Sequence, residues 1–91
     1  PEIQSSVGIY YLLAGDQHSG LTMLIEAFKA APDNPTVALN LARALDVYIR
    51  EPAKSTRFYQ MYLELSARNP EASGTRTEVE ARVRELTRRN R

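Results

Sequence analysis

The chain has no cysteine, no tryptophan and only one histidine, His18, among its 91 residues. Without cysteine it can form neither a disulfide nor a thiolate metal site. His18 lies in a predicted turn beside Asp16 and Ser19. Three such neighbours in one turn cannot adopt the geometry of a catalytic triad, in which the base lies between its two partners. We therefore expect no metal site, no cofactor and no enzymatic activity.

Long apolar runs are also missing, and none approaches the roughly 20 residues that a membrane-spanning helix needs. The composition is 43% hydrophobic and 25% charged, which is typical of one small globular domain and too apolar for a disordered chain. The first residue is Pro1 rather than methionine, so we expect a fragment of a longer protein. The compartment stays open between the cytoplasm and a bacterial periplasm or envelope.

The formal net charge of +1 combines an acidic front with a basic end. Residues 1–34 carry four carboxylates and one lysine, a formal charge of −3, whereas residues 76–91 carry six arginines and three glutamates, a formal charge of +3. This asymmetry is compatible with an acidic partner, with nucleic acid or with head-to-tail self-association. The glutamates interleaved among the arginines favour a solvated helix face, so nucleic acid is the less favoured partner.

Turn and capping signals divide the chain into five predicted helices. The helices are predicted at 3–14, about 19–31, 35–49, 52–67 and about 75–89. The predicted caps are Ser19, Asn34 with Pro35, and Thr77 with Glu80. Because the connections are short, neighbouring helices are expected to lie antiparallel.

Apolar residues at helical spacing predict which faces are buried. The stripes are Val7, Tyr11 and Ala14 in the first helix, Ala38, Leu41, Ala42 and Leu45 in the third, and Val79, Val83 and Leu86 in the last. Gly8 costs about 1 kcal/mol relative to alanine inside a helix, so we expect a neighbouring helix to approach closely there. The other face of the last helix is arginine and glutamate, which predicts that only one side is buried.

The second pair of helices repeats the plan of the first at a period near 35 residues. Gly8 aligns with Ala42, and Asn34-Pro35 aligns with Asn69-Pro70 once a one-residue insertion is allowed. Units of this length form arrays in which no unit buries its apolar face alone.

Seven residues of the first unit, at fixed spacing, carry a resemblance to the tetratricopeptide repeat family, whose unit is a 34-residue helix–turn–helix. They are Val7, Gly8, Tyr11, Gly15, Asp16, Ala27 and Pro32, with Gly20 where the family prefers alanine. Residues 35–69 match less well, because 49–52 replace the glycine turn, and Ser55 and Tyr62 replace two small residues.

The resemblance implies an all-α fold in a single domain spanning 1–91. Two antiparallel helix–turn–helix repeats, 1–34 and 35–69, would be followed by a C-terminal amphipathic capping helix at 75–90, in a right-handed superhelical array. The alternatives are another array of antiparallel helical hairpins or a plain five-helix bundle.

Similarity to the family also implies a protein–protein interaction scaffold that binds a partner polypeptide in a concave groove. The implied groove residues are Ser5, Ile9, Leu12, Leu13, Leu39, Asn40, Arg43, Asp46 and Val47. Ile9, Leu12 and Leu13 would form an apolar patch, covered either by the partner or by a preceding helix.

The family recurs in bacterial secretion and pilus assembly as well as in the cytoplasm, so a bacterial assembly or secretion complex is one setting that the resemblance implies. Self-association through exposed helix faces is a further possibility. The alternative function is accessory binding of nucleic acid or of an acidic partner through the arginine-rich last helix.

Overall fold

The computed structural model describes residues 1–89, which are all-helical apart from short connections. The helices are α1 (Glu2–Leu13), α2 (Gln17–Ala30), α3 (Pro35–Arg43), α4 (Pro52–Leu65) and α5 (Ser73–Arg89). A π-helical segment, Ala44–Ile49, continues α3, and a 3₁₀ turn, Pro70–Ala72, precedes α5. The predicted all-α fold with five helices is confirmed. The capping helix was predicted to reach position 90, which lies outside the described residues.

Side-chain caps fix the first turns of α2 and α3. Asn34 caps α3 as predicted, accepting hydrogen bonds from two backbone N–H groups of the next turn at 2.9 and 3.2 Å. Two other predicted caps are wrong. The cap of α2 is Asp16, which accepts from the N–H of Ser19 at 3.1 Å, because a carboxylate is favoured at a helix N-terminus. Thr77 lies inside α5, where its hydroxyl donates to the carbonyl of Ser73 at 3.0 Å.

Helices α1 and α2 cross in direct backbone contact through two glycines. A Cβ atom on Gly8 would lie 2.9 Å from the carbonyl oxygen of Gly20, and a Cβ on Gly20 would lie 2.7 Å from that of Gly8. A side chain at either position would therefore push the two helices apart. The close approach predicted at Gly8 is confirmed.

The buried stripe predicted for α1 is wrong by about one residue. The buried positions are Ser5, Gly8 and Leu12, whereas Val7 and Tyr11 are 37% and 42% exposed. The glycine contact is the reason. Because α2 approaches the side of α1 that carries Gly8, Leu12 on the same side is buried and the adjacent Tyr11 turns outward.

The central helix, α3, and the π-helical segment that continues it contribute to two apolar clusters. One cluster joins Ala38, Leu39 and Ala42 to Tyr59 and Tyr62 of α4 and to Val79 and Leu86 of α5. The other joins Leu41, Ala44 and Leu45 to Leu12 of α1 and Leu24 of α2. The molecule is 19 Å thick along its shortest axis, about two helix diameters. Burial of Val79 and Leu86, with Val83 packed against the same cluster, confirms the apolar stripe predicted for the last helix.

The segment that follows α3 ends differently from α1. In the π-helical segment the backbone is wound more widely, and the N–H of Glu51 donates to the carbonyl of Leu45 at 2.8 Å. Arg50 closes the segment in the left-handed conformation, with φ of 63° and ψ of 50°. In the first hairpin Gly15, with φ of 92°, follows α1. A left-handed non-glycine residue is strained because its Cβ atom approaches the following carbonyl oxygen.

Candidate functional site

The nine residues predicted to line a groove do not form one accessible surface. Ser5, Leu12 and Leu39 are buried, Ile9, Asn40 and Asp46 are half-buried, and Leu13, Arg43 and Val47 are exposed. The prediction that Ser5, Leu12 and Leu39 face a partner is wrong, because all three side chains are buried within the molecule. Leu12 packs against α2 and α3, and Leu39 packs against α4 and α5.

Ser5 and Asn40 are bonded to each other across the contact between α1 and α3. The side-chain amide of Asn40 donates to Oγ of Ser5 at 2.9 Å, and that hydroxyl donates to the carbonyl of Glu2 at 2.9 Å. A buried hydroxyl without a partner is costly. The bond to Glu2 satisfies the hydroxyl within α1, and the bond from Asn40 stabilises the packing of α3 against α1. These two residues hold the fold together at this point.

Asp46 is the centre of a charged cluster between the π-helical segment and α5. Its carboxylate accepts two hydrogen bonds from Arg82, at 2.7 and 2.8 Å, and a third from the Tyr59 hydroxyl at 2.8 Å. The bond from Arg82, assisted by Tyr59 and opposed by burial, lowers the pKa of Asp46. Burial and the nearby carboxylate raise the pKa of Tyr59, so its hydroxyl stays a hydrogen-bond donor. The cluster ties α5 to the end of α3.

A cleft of about 490 Å³ lies beside this cluster. Its charged lining is Asp46, Arg50, Arg82 and Arg89, and its apolar lining is Val47, Pro52 and Leu86. Here the structure brings together two predicted groove residues, Asp46 and Val47. Sequence reasoning missed Arg50 and Arg89 as members of this surface. The available signal was Arg50 itself, because it stands in a helix-ending turn where the first unit has glycine.

The outer face of α1 consists of Ile3, Val7, Tyr10, Tyr11 and Ala14, on the side opposite the buried stripe. Ile3 and Tyr10 are 81% and 75% exposed, and α1 carries five of the eight exposed large hydrophobic side chains in residues 1–89. Four of the outer-face residues line a shallow depression of about 310 Å³. Sequence reasoning missed this face because it assigned Val7 and Tyr11 to the core.

The arginines of α5 make unequal contacts. Arg76 donates to a backbone carbonyl at the end of α4 and, at 2.8 Å, to the hydroxyl of Ser66. Arg82 is held in the cluster described above, and Arg88 and Arg89 share one carboxylate at 3.9 and 3.0 Å. The last two residues of the basic end lie outside the described part of the chain. Because contacts within the molecule hold several of these arginines, α5 does not present a uniform cationic strip to nucleic acid.

Comparisons with protein-family models, with curated proteins and with solved structures give no significant match for this chain. Within residues 1–89, no helix combines the length and the apolar character that crossing a bilayer requires. Function is therefore inferred from the surfaces that the chain itself presents.

Proposed function

We propose that this chain is a protein-interaction module that holds a helix of a partner polypeptide against the outer face of α1. The observation that carries the proposal is that α1 is apolar on opposite sides, with Leu12 buried and Ile3 and Tyr10 largely exposed. A helix that is hydrophobic all round is ordinarily buried all round. None of the five outer-face residues is charged, so another apolar surface can cover them without desolvating an ion.

The charges around the outer face favour a basic partner over a second copy of the chain. Glu2 lies at the start of α1, Asp16 lies just beyond its end, and Glu26 of α2 accepts a hydrogen bond from Gln4 of α1 at 3.3 Å. Two copies packed through this face around a two-fold axis would bring these carboxylates towards those of the partner copy, which is unfavourable. The fitting occupant is an amphipathic helix with an apolar stripe flanked by lysine or arginine.

The same proposal treats the two hairpins as repeats of the tetratricopeptide type in a right-handed superhelical arrangement. The supporting correspondences are Gly8 with Ala42 at an offset of 34, and Gly15 with Arg50 and Asn34 with Asn69 at an offset of 35. The offset changes across the π-helical segment. A single π-helical turn accommodates one residue more than an α-helical turn, so this segment supplies the one-residue insertion that the alignment needs.

Binding of two designed peptides tests the proposed function. The first is a fluorescent amphipathic helix with a leucine stripe and lysine flanks, and the second carries glutamate at the flanking positions. We expect the lysine peptide to bind, and the double substitution Ile3→Gln and Tyr10→Gln to weaken binding about tenfold or more, since two exposed anchors are lost. Both side chains project into solvent, so circular dichroism and the melting temperature should be unchanged.

A matched control replaces two other partly exposed apolar side chains, Ile25→Gln in α2 and Leu65→Gln in α4. Equal loss of binding in this control, or equal binding of the glutamate peptide, would contradict the proposal. Sedimentation provides a separate check. A dimer that dissociates in the Ile3→Gln, Tyr10→Gln variant would make a second copy the occupant of the outer face and overturn the assignment of a basic partner helix.

A further inference from the structure

We propose that the cleft between the π-helical segment and α5 is a second binding site, which takes an acidic peptide segment whose side-chain carboxylates bind Arg50 and Arg89. This site is separate from the outer face of α1, and its existence does not depend on what that face binds. Three observations carry the proposal: the backbone of Arg50, the balance of charge in the cleft, and the apolar surface beside the charges.

Arg50 holds an unfavourable backbone conformation that places it on the wall of the cleft. Among residues 1–89 it is the only non-glycine residue with a positive φ, and the turn after α1 uses Gly15 for the same left-handed conformation. Glycine would be the less strained choice at position 50. Strained residues of this kind concentrate at functional sites, where the surrounding structure maintains the unfavourable conformation. A glycine at position 50 would relieve the strain but would remove the Arg50 guanidinium from the cleft lining.

The charges in the cleft are not balanced within the described part of the chain. Asp46, the one carboxylate in the lining, already accepts three hydrogen bonds from Arg82 and Tyr59. Among residues 1–89, no carboxylate forms an ion pair with Arg50, because the adjacent Glu51 pairs with Lys54 at 3.3 Å. Of the three guanidinium groups that line the cleft, Arg82 is bound to Asp46 and Arg89 forms an exposed pair with Glu85 at 3.0 Å. Arg50 therefore supplies the uncompensated positive charge among residues 1–89, and Arg89 keeps further N–H donors for an incoming anion.

The apolar part of the lining favours a peptide over a nucleic acid. Val47 is 57% exposed and lies in the cleft with Pro52 and Leu86. Each arginine can present a planar fork of donors to a glutamate or aspartate carboxylate. The apolar lining can then contact an apolar side chain that follows the acidic residue in the peptide. Among residues 1–89, no aromatic side chain on which a base could stack lines the cleft.

The test uses a fluorescein-labelled peptide of alternating glutamate and leucine, with its C-terminus amidated so that only side-chain carboxylates are available. Fluorescence anisotropy at low and at physiological salt gives its Kd for the full chain. We expect Arg50→Gly and Arg89→Gln each to raise the Kd about tenfold, because each removes a charge-assisted hydrogen-bond donor. Arg50→Gly also relieves the left-handed strain, so its melting temperature should not fall.

Arg84→Gln is the matched control, because Arg84 lies on the same helix and its loss changes the net charge equally, but it does not line the cleft. A Kd within about twofold of the native value is expected for this control. Equal weakening by Arg84→Gln would show a diffuse charge effect and overturn the proposal.

Three further outcomes would also overturn it. These are equal binding of a peptide with glutamine in place of glutamate, binding only when the terminal carboxylate is free, and tighter binding of an RNA oligonucleotide of the same charge at this cleft. A result that overturns the cleft site would leave the proposal for α1 intact, because the outer face of α1 contains none of the cleft residues.

Discussion

At Gly20 a hydrogen atom in place of a side chain lets α1 and α2 touch through their backbones, and this contact sets the orientation of the first hairpin. A Cβ on Gly20 would meet Leu12 side-chain atoms at 2.8 and 3.0 Å in addition to the Gly8 carbonyl oxygen at 2.7 Å. The oxygen belongs to a helix backbone and cannot rotate away. The small residue is therefore required by packing, even though glycine is a poor helix former.

We predict that Gly20→Ala lowers the free energy of unfolding by about 1–3 kcal/mol, because overpacking outweighs the gain in helix propensity. Chemical denaturation followed by circular dichroism measures the change. Gly74→Ala in α5 is the control, since a Cβ there has no neighbouring atom within 4 Å, and its stability should be unchanged or slightly raised. If Gly20→Ala were as stable as Gly74→Ala, the backbone contact would not determine the packing.

At the scale of helices, local signals predicted most boundaries but could not predict which side of α1 is buried. Asn34, Pro35 and Pro52 act on their own turns, and the structure begins α3 and α4 where they indicate. Periodicity could not orient α1, because apolar residues lie on both of its sides. The contact between Gly8 and Gly20 of α2 determines which side of α1 is buried.

The cleft was predictable only in part, for a similar reason. Asp46 and Val47 were expected on an accessible surface and lie in the cleft lining. Arg82, however, is 36 residues from Asp46 in sequence, and nothing local indicates that pairing. Arg50 ends the π-helical segment in the left-handed conformation, and the apolar periodicity of the sequence does not distinguish that segment from an α-helix.

The bond between Asp46 and Arg82 makes the attachment of α5 sensitive to acid. The folded state lowers the pKa of Asp46 below its ordinary value of 3.8. The ionised carboxylate therefore stabilises the folded state fully above pH 3.8, and this contribution is lost as the pH falls through the lowered pKa. We predict that Asp46→Asn is less stable than the native chain near pH 7 and shows a smaller further loss below about pH 4. Melting temperatures from neutral pH to about pH 3 measure this, and parallel acid declines in the two proteins would contradict it.

α5 covers part of the apolar surface that α3 and α4 form together. Tyr59 and Tyr62 of α4 are buried in a cluster that includes Val79 and Leu86 of α5, and Leu63 packs against that cluster. We predict that deleting residues 75–91 exposes this surface and causes aggregation with loss of cooperative unfolding. Light scattering and thermal unfolding measure both effects. A truncated chain that melts cooperatively at the native temperature would show that α5 is not a capping helix.

At the scale of the whole molecule, the two proposed sites differ in chemistry and in position along the chain. The outer face of α1 is apolar and lies on a hairpin with a formal charge of −3 over residues 1–34. The cleft is lined by residues of the π-helical segment, of the turn into α4 and of α5, and it carries an excess of arginine. A slab 19 Å thick has little buried interior beyond its two apolar clusters, and both proposed sites lie on its surface.

The most direct test of the central claim is a titration of the isotope-labelled chain with the lysine-flanked amphipathic peptide, followed by amide chemical shifts in solution. If the outer face of α1 is the docking surface, the largest shift changes will fall on Ile3, Val7, Tyr10 and Ala14. Amides of α4 and α5 should change little. Changes concentrated on α5, or no saturable change at all, would contradict the claim.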